Sequence, residues 1–256
     1  MRFFFSIKTW SAVAAIGLTC QACVAQTAAE FIAKGDTDDR TFDAGKALKS
    51  YLAAEKLEPK NVRLLVSIAR QYRHLMTNAP SPKEKLKLGG IALNYGLKAA
   101  ALDPNDSDAQ LSPAITYGKM LPFQGKQAQV DATPRIKTAV DKALLLNPRN
   151  DSAWHVLGRW HQSLANIGSI KRAFGEMFYG ELPVGSNAEA VKCFDKAIAI
   201  NPQRPRHYIE LGRTYSQMSD YGKARKYLTK GLSLPNIEND DRELKILGRE
   251  ALSSLP

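Results

Sequence analysis

Residues 190–202 read AVKCFDKAIAINP, and this stretch decides the fold because its pattern recurs along the chain. Ala190 is followed four places on by an aromatic residue, Phe194, and seven places on by a second small residue, Ala197. Residues at these spacings share one face of an α-helix, so the small side chains let a neighbouring helix approach closely. Pro202 then ends the helix and permits another one to begin.

The same ending appears four more times, with variation. The copies are ALKSYLAAEKLEP at 47–59, ALNYGLKAAALDP at 92–104, KTAVDKALLLNP at 137–148 and ARKYLTKGLSLP at 224–235. Recurrence of this kind is typical of helical arrays, in which each unit covers the apolar face of its neighbour. It is the pattern of the second helix of a tetratricopeptide repeat, a unit of two antiparallel helices.

A second pattern supplies the first helix of the unit: a bulky residue, then Leu-Gly, then an aromatic residue. Residues 154–161 read WHVLGRWH, and residues 208–215 read YIELGRTY. The glycine marks the point where two helices cross closely. We therefore predict an all-α tetratricopeptide solenoid of about four helix pairs over residues 26–235. Residues 236–256 are predicted to form a capping helix, which a solenoid needs over its last apolar face.

The longest insertion between paired helices is predicted near residues 168–185. Its apolar residues, among them Phe174, Met177 and Phe178, follow helical spacing and form one stripe. One interpretation is a short helix that packs onto the solenoid. The other is a surface for a partner protein or for peripheral contact with a membrane.

Residues 1–25 have the features of a secretory signal peptide. The stretch carries basic residues and no acid, and its apolar part is too short to span a bilayer comfortably. Cys23 and Ala25 place small residues three and one positions before the expected cleavage site. These features predict an exported protein, periplasmic or secreted. An uncleaved membrane anchor and lipid attachment at Cys20 or Cys23 are the alternatives.

Three stretches together resemble one known family. They are LNPRNDSAWHVLGRW at 146–160, KRAFGEMFYGELPVGSNAEAVKCFDKAIAINP at 171–202 and SLPNIENDDRELKILGREAL at 233–252. They are similar to the regulator of microtubule dynamics family, most strongly over about 136–253. The resemblance implies a tetratricopeptide helical array and, from the family's eukaryotic members, association with microtubules and with mitochondrial and endoplasmic-reticulum membranes. It offers no agreed catalytic motif. The bacterial-type leader departs from the family and argues against the microtubule role unless the source is eukaryotic.

The repeat register predicts which side chains face the groove between the first helices. The set is basic and consists of Arg63, Arg70, Arg73, His74, His155, Arg159, Arg206 and Arg213. Arginine suits bidentate recognition of carboxylates, and the net charge of +11 favours an anionic partner. We expect the groove to bind a protein or peptide partner through an acidic segment or a C-terminal carboxylate. The alternative is that these arginines pair with acids on adjacent helices or stay solvated.

No pattern in the sequence predicts catalysis, a cofactor or a metal. His155 and His161 are six residues apart, on different helical faces, whereas zinc sites on helices prefer spacings of three or four. Neither a phosphate-binding glycine loop nor a nucleophile elbow occurs. Cys193 lies beside Phe194 near the buried alanine row, where an inert thiol is expected.

The predicted function is therefore a non-catalytic scaffold for protein–protein interaction. Nucleic acid is not expected as a partner, because export would separate the protein from it. The alternatives are a membrane-anchored structural or tethering protein, and a microtubule-associated protein if the source is eukaryotic. An enzyme with a site beneath the insertion has only Glu176, Tyr179 and Glu181 to support it.

Overall fold

A computed structural model describes residues 26–168, 172, 175–178 and 180–256. The predicted leader, residues 1–25, and Phe174 of the insertion lie outside these residues. Within them the chain is all-α, as predicted, with one short 3-10 turn at Leu121–Phe123 and no strand.

The described helices are numbered here in chain order. They are α1 (Ala28–Arg40), α2 (Ala44–Leu57), α3 (Val62–Asn78), α4 (Pro82–Leu102), α5 (Ser107–Met120), α6 (Lys126–Leu146), α7 (Asp151–Ala165), α8 (Asn187–Ile200), α9 (Pro205–Gln217), α10 (Tyr221–Ser233) and α11 (Asp241–Ser253).

Successive helices pack in pairs, and the described residues contain five pairs followed by α11. The sequence predicts about four pairs, and α1 lacks the Leu-Gly-aromatic signature of a first helix. Its crossing glycine is nevertheless present as Gly35, where an added Cβ would lie 2.5 Å from the ring of Tyr51 on α2. Close approach of two helices at a glycine therefore extends to the first pair.

The small residues that define the repeat are buried where helices touch. Ala190, Phe194 and Ala197 of α8 are all inaccessible to solvent. A Cβ added to Gly158 of α7 would lie 2.7 Å from the Phe194 ring. The glycine of the first helix thus makes room for the aromatic residue of the second, and the two sequence patterns are halves of one packing contact.

Three of the four turns between the described repeats follow one scheme, and the turn into α9 differs because its N-cap, Arg204, makes no side-chain capping hydrogen bond. Helices α2, α4 and α6 end two residues before Pro59, Pro104 and Pro148, since the residue before a proline disfavours the helical conformation. Two residues after each proline stands a helix N-cap: Asn61, Asp106 or Asn150. The side chain of each cap accepts a hydrogen bond from a backbone N–H in the first turn of the next helix.

The extra residues before α4 and α6 lengthen helices rather than forming loops. Both helices have 21 residues, against 14 for α2. The third insertion follows α7 and is tied to it by Arg172. The guanidinium of Arg172 donates to the carbonyl oxygens of Leu164, Leu182 and Pro183 at 3.0–3.3 Å.

The last helix, α11, covers α9 and α10. A Cβ on Gly248 of α11 would lie 3.2 Å from Cγ2 of Ile209 on α9, so the two helices are in close apolar contact. The segment that leads into α11, residues 234–240, crosses the groove towards α3 and α5. We call this segment the acidic linker. The terminal helix therefore does more than cover the end of the array.

Candidate functional site

The first helices α5, α7 and α9 line a groove of about 1100 Å³. The amino-terminal half of α6, the insertion and α11 complete its walls. Its apolar lining includes Ile115, Val130, Val156, Trp160 and Leu244. A concave site of this size with apolar walls and a few polar groups is the usual form of a ligand or peptide site.

The charged end of the groove is built around Glu210, whose side chain is only 4% exposed. Arg159 donates to it at 2.7 Å and Arg213 at 2.9 Å. Gln162 completes the cluster by donating to the Glu210 carbonyl oxygen and to Thr214. A buried carboxylate between two guanidinium groups holds both of them in fixed directions.

The excess charge of the groove is positive. Its lining holds five basic side chains and three acidic ones: Lys119, Lys126, Arg159, Arg206 and Arg213 against Glu210, Asp240 and Glu243. Glu210 neutralises at most one of its two arginines, so the groove attracts an acidic group.

The predicted basic residues of the first full repeat also have partners within the chain. Arg70 lies 2.5 Å from Asp39, and the exposed Arg63 lies 3.7 Å from Asp36. Arg73 is 5% exposed and donates to the hydroxyl groups of Ser112 and Thr116, so it lies between α3 and α5 rather than open to the groove. Burial lowers the pKa of Arg73 to about 10.

His74 and Lys119 receive the acidic linker. The Nδ1 of His74 lies 3.0 Å from Oδ1 of Asp240, and Nζ of Lys119 lies 2.6 Å from its Oδ2. Thr77 also donates to Asp240, at 3.3 Å. Burial would raise the pKa of Asp240, but the His74 hydrogen bond and the Lys119 charge hold that pKa well below its usual range.

Glu238 of the linker contacts two arginines at the start of α9. Arg204 lies 2.8 Å from it, and Arg206 forms a second, short ion pair with it. Burial opposes ionisation of Glu238, but the two guanidinium charges lower its pKa. These contacts show where the basic groove residues point: several of them face carboxylates of the chain itself.

His155 and His207 form a pair in which His207 is fully buried and His155 is half-buried at the groove wall. Their Nδ1 atoms lie 3.1 Å apart, and Nε2 of His207 lies 3.0 Å from Asp151. Burial lowers the pKa of both histidines, and for His155 the neighbouring positive charges of His207, Arg206 and Arg159 lower it further. The pair is therefore neutral at pH 7, and His207 links α9 to α7 through two hydrogen bonds, one with His155 and one with Asp151.

Met177 and Phe178 of the insertion are 72% and 71% exposed, and Phe178 lies at the edge of the groove. His161 packs edge-on against Trp160, away from the His155–His207 pair. In the part of the chain that the structure describes, no group of three His, Cys, Asp or Glu side chains is arranged to hold a metal ion.

The acidic half of this site, formed by Glu210, Glu238 and Asp240, is not among the residues predicted from the sequence. Glu210 could have been found, since it stands three residues before Arg213 on one helix, where opposite charges meet. The linker acids lie between predicted helices, and no local pattern indicates that the chain returns there to the groove.

This chain is similar to known proteins in both sequence and fold. Residues 24–256 match the family model described as Regulator of microtubule dynamics protein 1-3. The chain belongs to the regulator of microtubule dynamics family. A crystal structure of a thermophilic TPR protein from Thermus thermophilus superposes with a TM-score of 0.64 over 89% of this chain and 100% of that one, at 17% identity. That likeness concerns the fold alone and confirms the tetratricopeptide prediction.

Two relatives in the family that come from animals are similar to this chain over most of its length. Regulator of microtubule dynamics protein 1 of Mus musculus is 24% identical over 259 residues, which cover 99% of this chain and 84% of the relative. The Caenorhabditis elegans protein of the same name is 24% identical over 209 residues, 81% of this chain and 92% of the relative. These eukaryotic relatives contradict a bacterial-type exported, periplasmic or secreted protein, so that prediction was wrong. No helix in the described part of the chain is long and apolar enough to cross a membrane.

Proposed function

We propose that the protein is a non-catalytic interaction scaffold that binds a segment of a protein partner in the groove of α5, α7 and α9. The observation that carries the proposal is the groove itself, with about 1100 Å³ between apolar walls and a positively charged end. Ile115, Val156 and Trp160 would receive apolar side chains of the partner. Arg159, Arg213 and Lys119 would attract an acidic one.

An acidic partner is supported by the positive charge of the groove and by the carboxylates that its basic side chains already bind. The predicted arginines Arg159 and Arg206 already bind carboxylates, although these carboxylates belong to the chain. A partner would therefore share or replace an existing ion pair. Arg159 and Arg213 keep 40% and 29% of their side chains exposed, so they remain accessible while bound to Glu210.

Gly118 allows a test that leaves the fold intact. It is exposed, lines the groove, and an added Cβ would meet nothing within 4 Å. Gly118→Trp should fill the groove without disturbing the core. Gly90→Trp is the matched control, because Gly90 also has open space around its Cβ and lies outside the groove lining.

The experiment is crosslinking capture of partners from cells, followed by affinity measurement with the captured protein. We expect a partner that binds the wild-type chain and the Gly90→Trp variant but loses at least tenfold in affinity with Gly118→Trp. Arg159→Gln should also lower the affinity for the same partner. Equal affinity for all these variants would rule out the groove as the binding site.

Two further roles rest on single observations. The relatives' name, regulator of microtubule dynamics, favours microtubule association, which co-sedimentation with polymerised tubulin would test. The exposed Met177 and Phe178 favour peripheral contact of the insertion with a partner or a membrane. A Met177→Ser, Phe178→Ser variant that pellets with vesicles as well as the wild type does would contradict the membrane contact.

A further inference from the structure

The acidic linker reaches the amino-terminal half of the array through polar contacts. Asp240 contacts His74, Thr77 and Lys119, and Asn239 donates to the carbonyl oxygen of Phe42 at 2.9 Å. The apolar side chain of Ile237 is 40% exposed and so contributes little to anchoring. By contrast, α11 is held by apolar packing on α9. Two further contacts hold the linker: Leu234 is buried, and the Asp241 carboxylate of α11 accepts from the backbone N–H groups of Ile237 and Glu238. Detachment of residues 235–240 therefore also breaks these two hydrogen bonds, while Leu234 and the apolar face of α11 stay in place.

The linker is bound in the way that an acidic peptide ligand would be. Glu238 and Asp240 are two residues apart and point to two different basic groups. Glu238 contacts Arg204 and Arg206, and Asp240 contacts His74 and Lys119. We call these four basic residues the acceptor site. These contacts indicate that the acceptor site recognises two carboxylate side chains separated by one residue.

The fit of the linker is incomplete. A polar pocket of about 200 Å³ remains beneath it, bounded by Arg70, Arg204 and linker residues 237–239. The Nε atoms of Arg70 and Arg204 are buried there and donate to no acceptor among the described residues. The pocket is lined by three arginines, Arg40, Arg70 and Arg204, against two acids, Asp39 and Glu238, so a ligand with one more carboxylate would meet an excess of positive charge there.

We propose that the acidic linker is a latch: it occupies the acceptor site in the free protein and is replaced by an acidic segment of a protein partner. The proposal rests on the proposed function, because it names the regulation of that groove and the chemistry of its ligand. The partner segment carries two carboxylates separated by one residue, with a third that reaches the pocket beneath the linker. Release of the latch also moves Asp240 away from the groove wall.

A tethered segment competes strongly, because its effective concentration is on the order of millimolar. A partner must therefore make contacts that the linker does not. The arginine-lined pocket beneath the linker offers room and positive charge for them. The latch thus excludes weakly acidic segments and yields to a segment that fills the pocket, which makes it a device for selectivity.

The test uses the full chain and two fluorescein-labelled probe peptides. One has the sequence of residues 234–244, and the other carries Ile237→Glu to place a third carboxylate at the pocket. The protein variant Glu238→Gln with Asp240→Asn removes the charges of the latch while keeping its shape. Hydrogen–deuterium exchange of residues 234–240 reports whether the latch is open.

We expect the linker of the variant to exchange faster than that of the wild type, with exchange of α11 unchanged. The variant should bind the first peptide at least tenfold more tightly than the wild type does, and the Ile237→Glu peptide more tightly still. In the wild-type chain, 1 M salt should open the latch in the same way, since the contacts are ionic. The salt experiment uses the wild-type chain, so its result does not depend on whether the variant folds.

Two results would overturn the latch: exchange that neither the substitutions nor salt can raise, or an open linker in the Glu238→Gln, Asp240→Asn variant at low salt without any gain in peptide affinity. These outcomes are separable from failure of the proposed function. If the linker stays closed in every condition but Gly118→Trp loses affinity for the partner, the latch is rejected and the proposed function of the groove is supported. If the opened variant binds the peptides more tightly but Gly118→Trp does not change partner affinity, the latch is supported and the proposed function of the groove is rejected.

Discussion

The Nδ1 of His74 lies 3.0 Å from Oδ1 of Asp240, although 166 positions separate the two residues in the chain. Through this contact and the neighbouring Lys119–Asp240 ion pair, the segment before the last helix is joined to the second and third helix pairs. Contacts between neighbouring repeats alone would leave an open array. Here a segment near the carboxyl end crosses the groove and ties its halves together.

Asp240→Asn should reduce the free energy of unfolding by about 1–3 kcal/mol, because Lys119 and His74 would then face each other without a carboxylate between them. Urea denaturation at pH 7 measures the loss. Asp141→Asn is the matched control. Its carboxylate pairs with Lys137 on the exposed surface of α6, so its loss should stay below about 1 kcal/mol. Equal losses in the two variants would contradict the role given to Asp240.

The His155–His207 pair should make stability depend on pH. Burial and neighbouring cations lower both pKa values in the folded protein, so below the unfolded value near 6.5 the unfolded chain binds more protons. Stability from the neutral pair is complete above about pH 7 and falls as the pH drops towards 5. The slope for each histidine is at most about 1.4 kcal/mol per pH unit.

The measurement is urea denaturation at several pH values from 8 to 5, for the wild type and for His155→Gln. The variant keeps a hydrogen-bonding side chain but has one titrating group fewer, so its stability should fall less steeply over this range. A slope identical to that of the wild type would show that the pair does not titrate as described.

Substituting the crossing glycines should be costly. A Cβ on Gly158 would lie 2.7 Å from the buried ring of Phe194, and one on Gly212 would lie 2.8 Å from the backbone nitrogen of Leu228. Gly158→Ala and Gly212→Ala should each lose about 1–3 kcal/mol of unfolding free energy. Gly118→Ala is the control with open space around the Cβ, and it should gain up to about 1 kcal/mol from helix propensity.

Cys193 should be unreactive in the folded protein. It is 4% exposed, and burial raises the pKa of its thiol to about 11, so little thiolate forms at pH 8. Iodoacetamide treatment followed by peptide mapping should leave Cys193 unmodified in buffer and modify it in urea. Rapid labelling of the folded chain would indicate an accessible, activated thiol instead.

The fold could be predicted because its determinants are local and repeated. Ala190, Phe194 and Ala197 lie at helical spacing, and all three are buried where that spacing requires. The prolines and N-caps recur with the same offsets in successive turns. Helix periodicity, capping and close approach at small residues each depend on a few neighbouring positions, so the sequence shows them directly.

The partners of the groove could not be predicted in this way. The register predicts basic side chains on the first helices, yet nothing near Arg206 or His74 in the sequence points to Glu238 or Asp240. Those pairings arise because α11 packs on α9 and α10 and thereby directs the linker back across the groove. By itself the sequence determined the repeat and its helices, through contacts at short range. Only the tertiary structure decided which charges meet, because residues far apart in sequence become neighbours only when the whole array has packed.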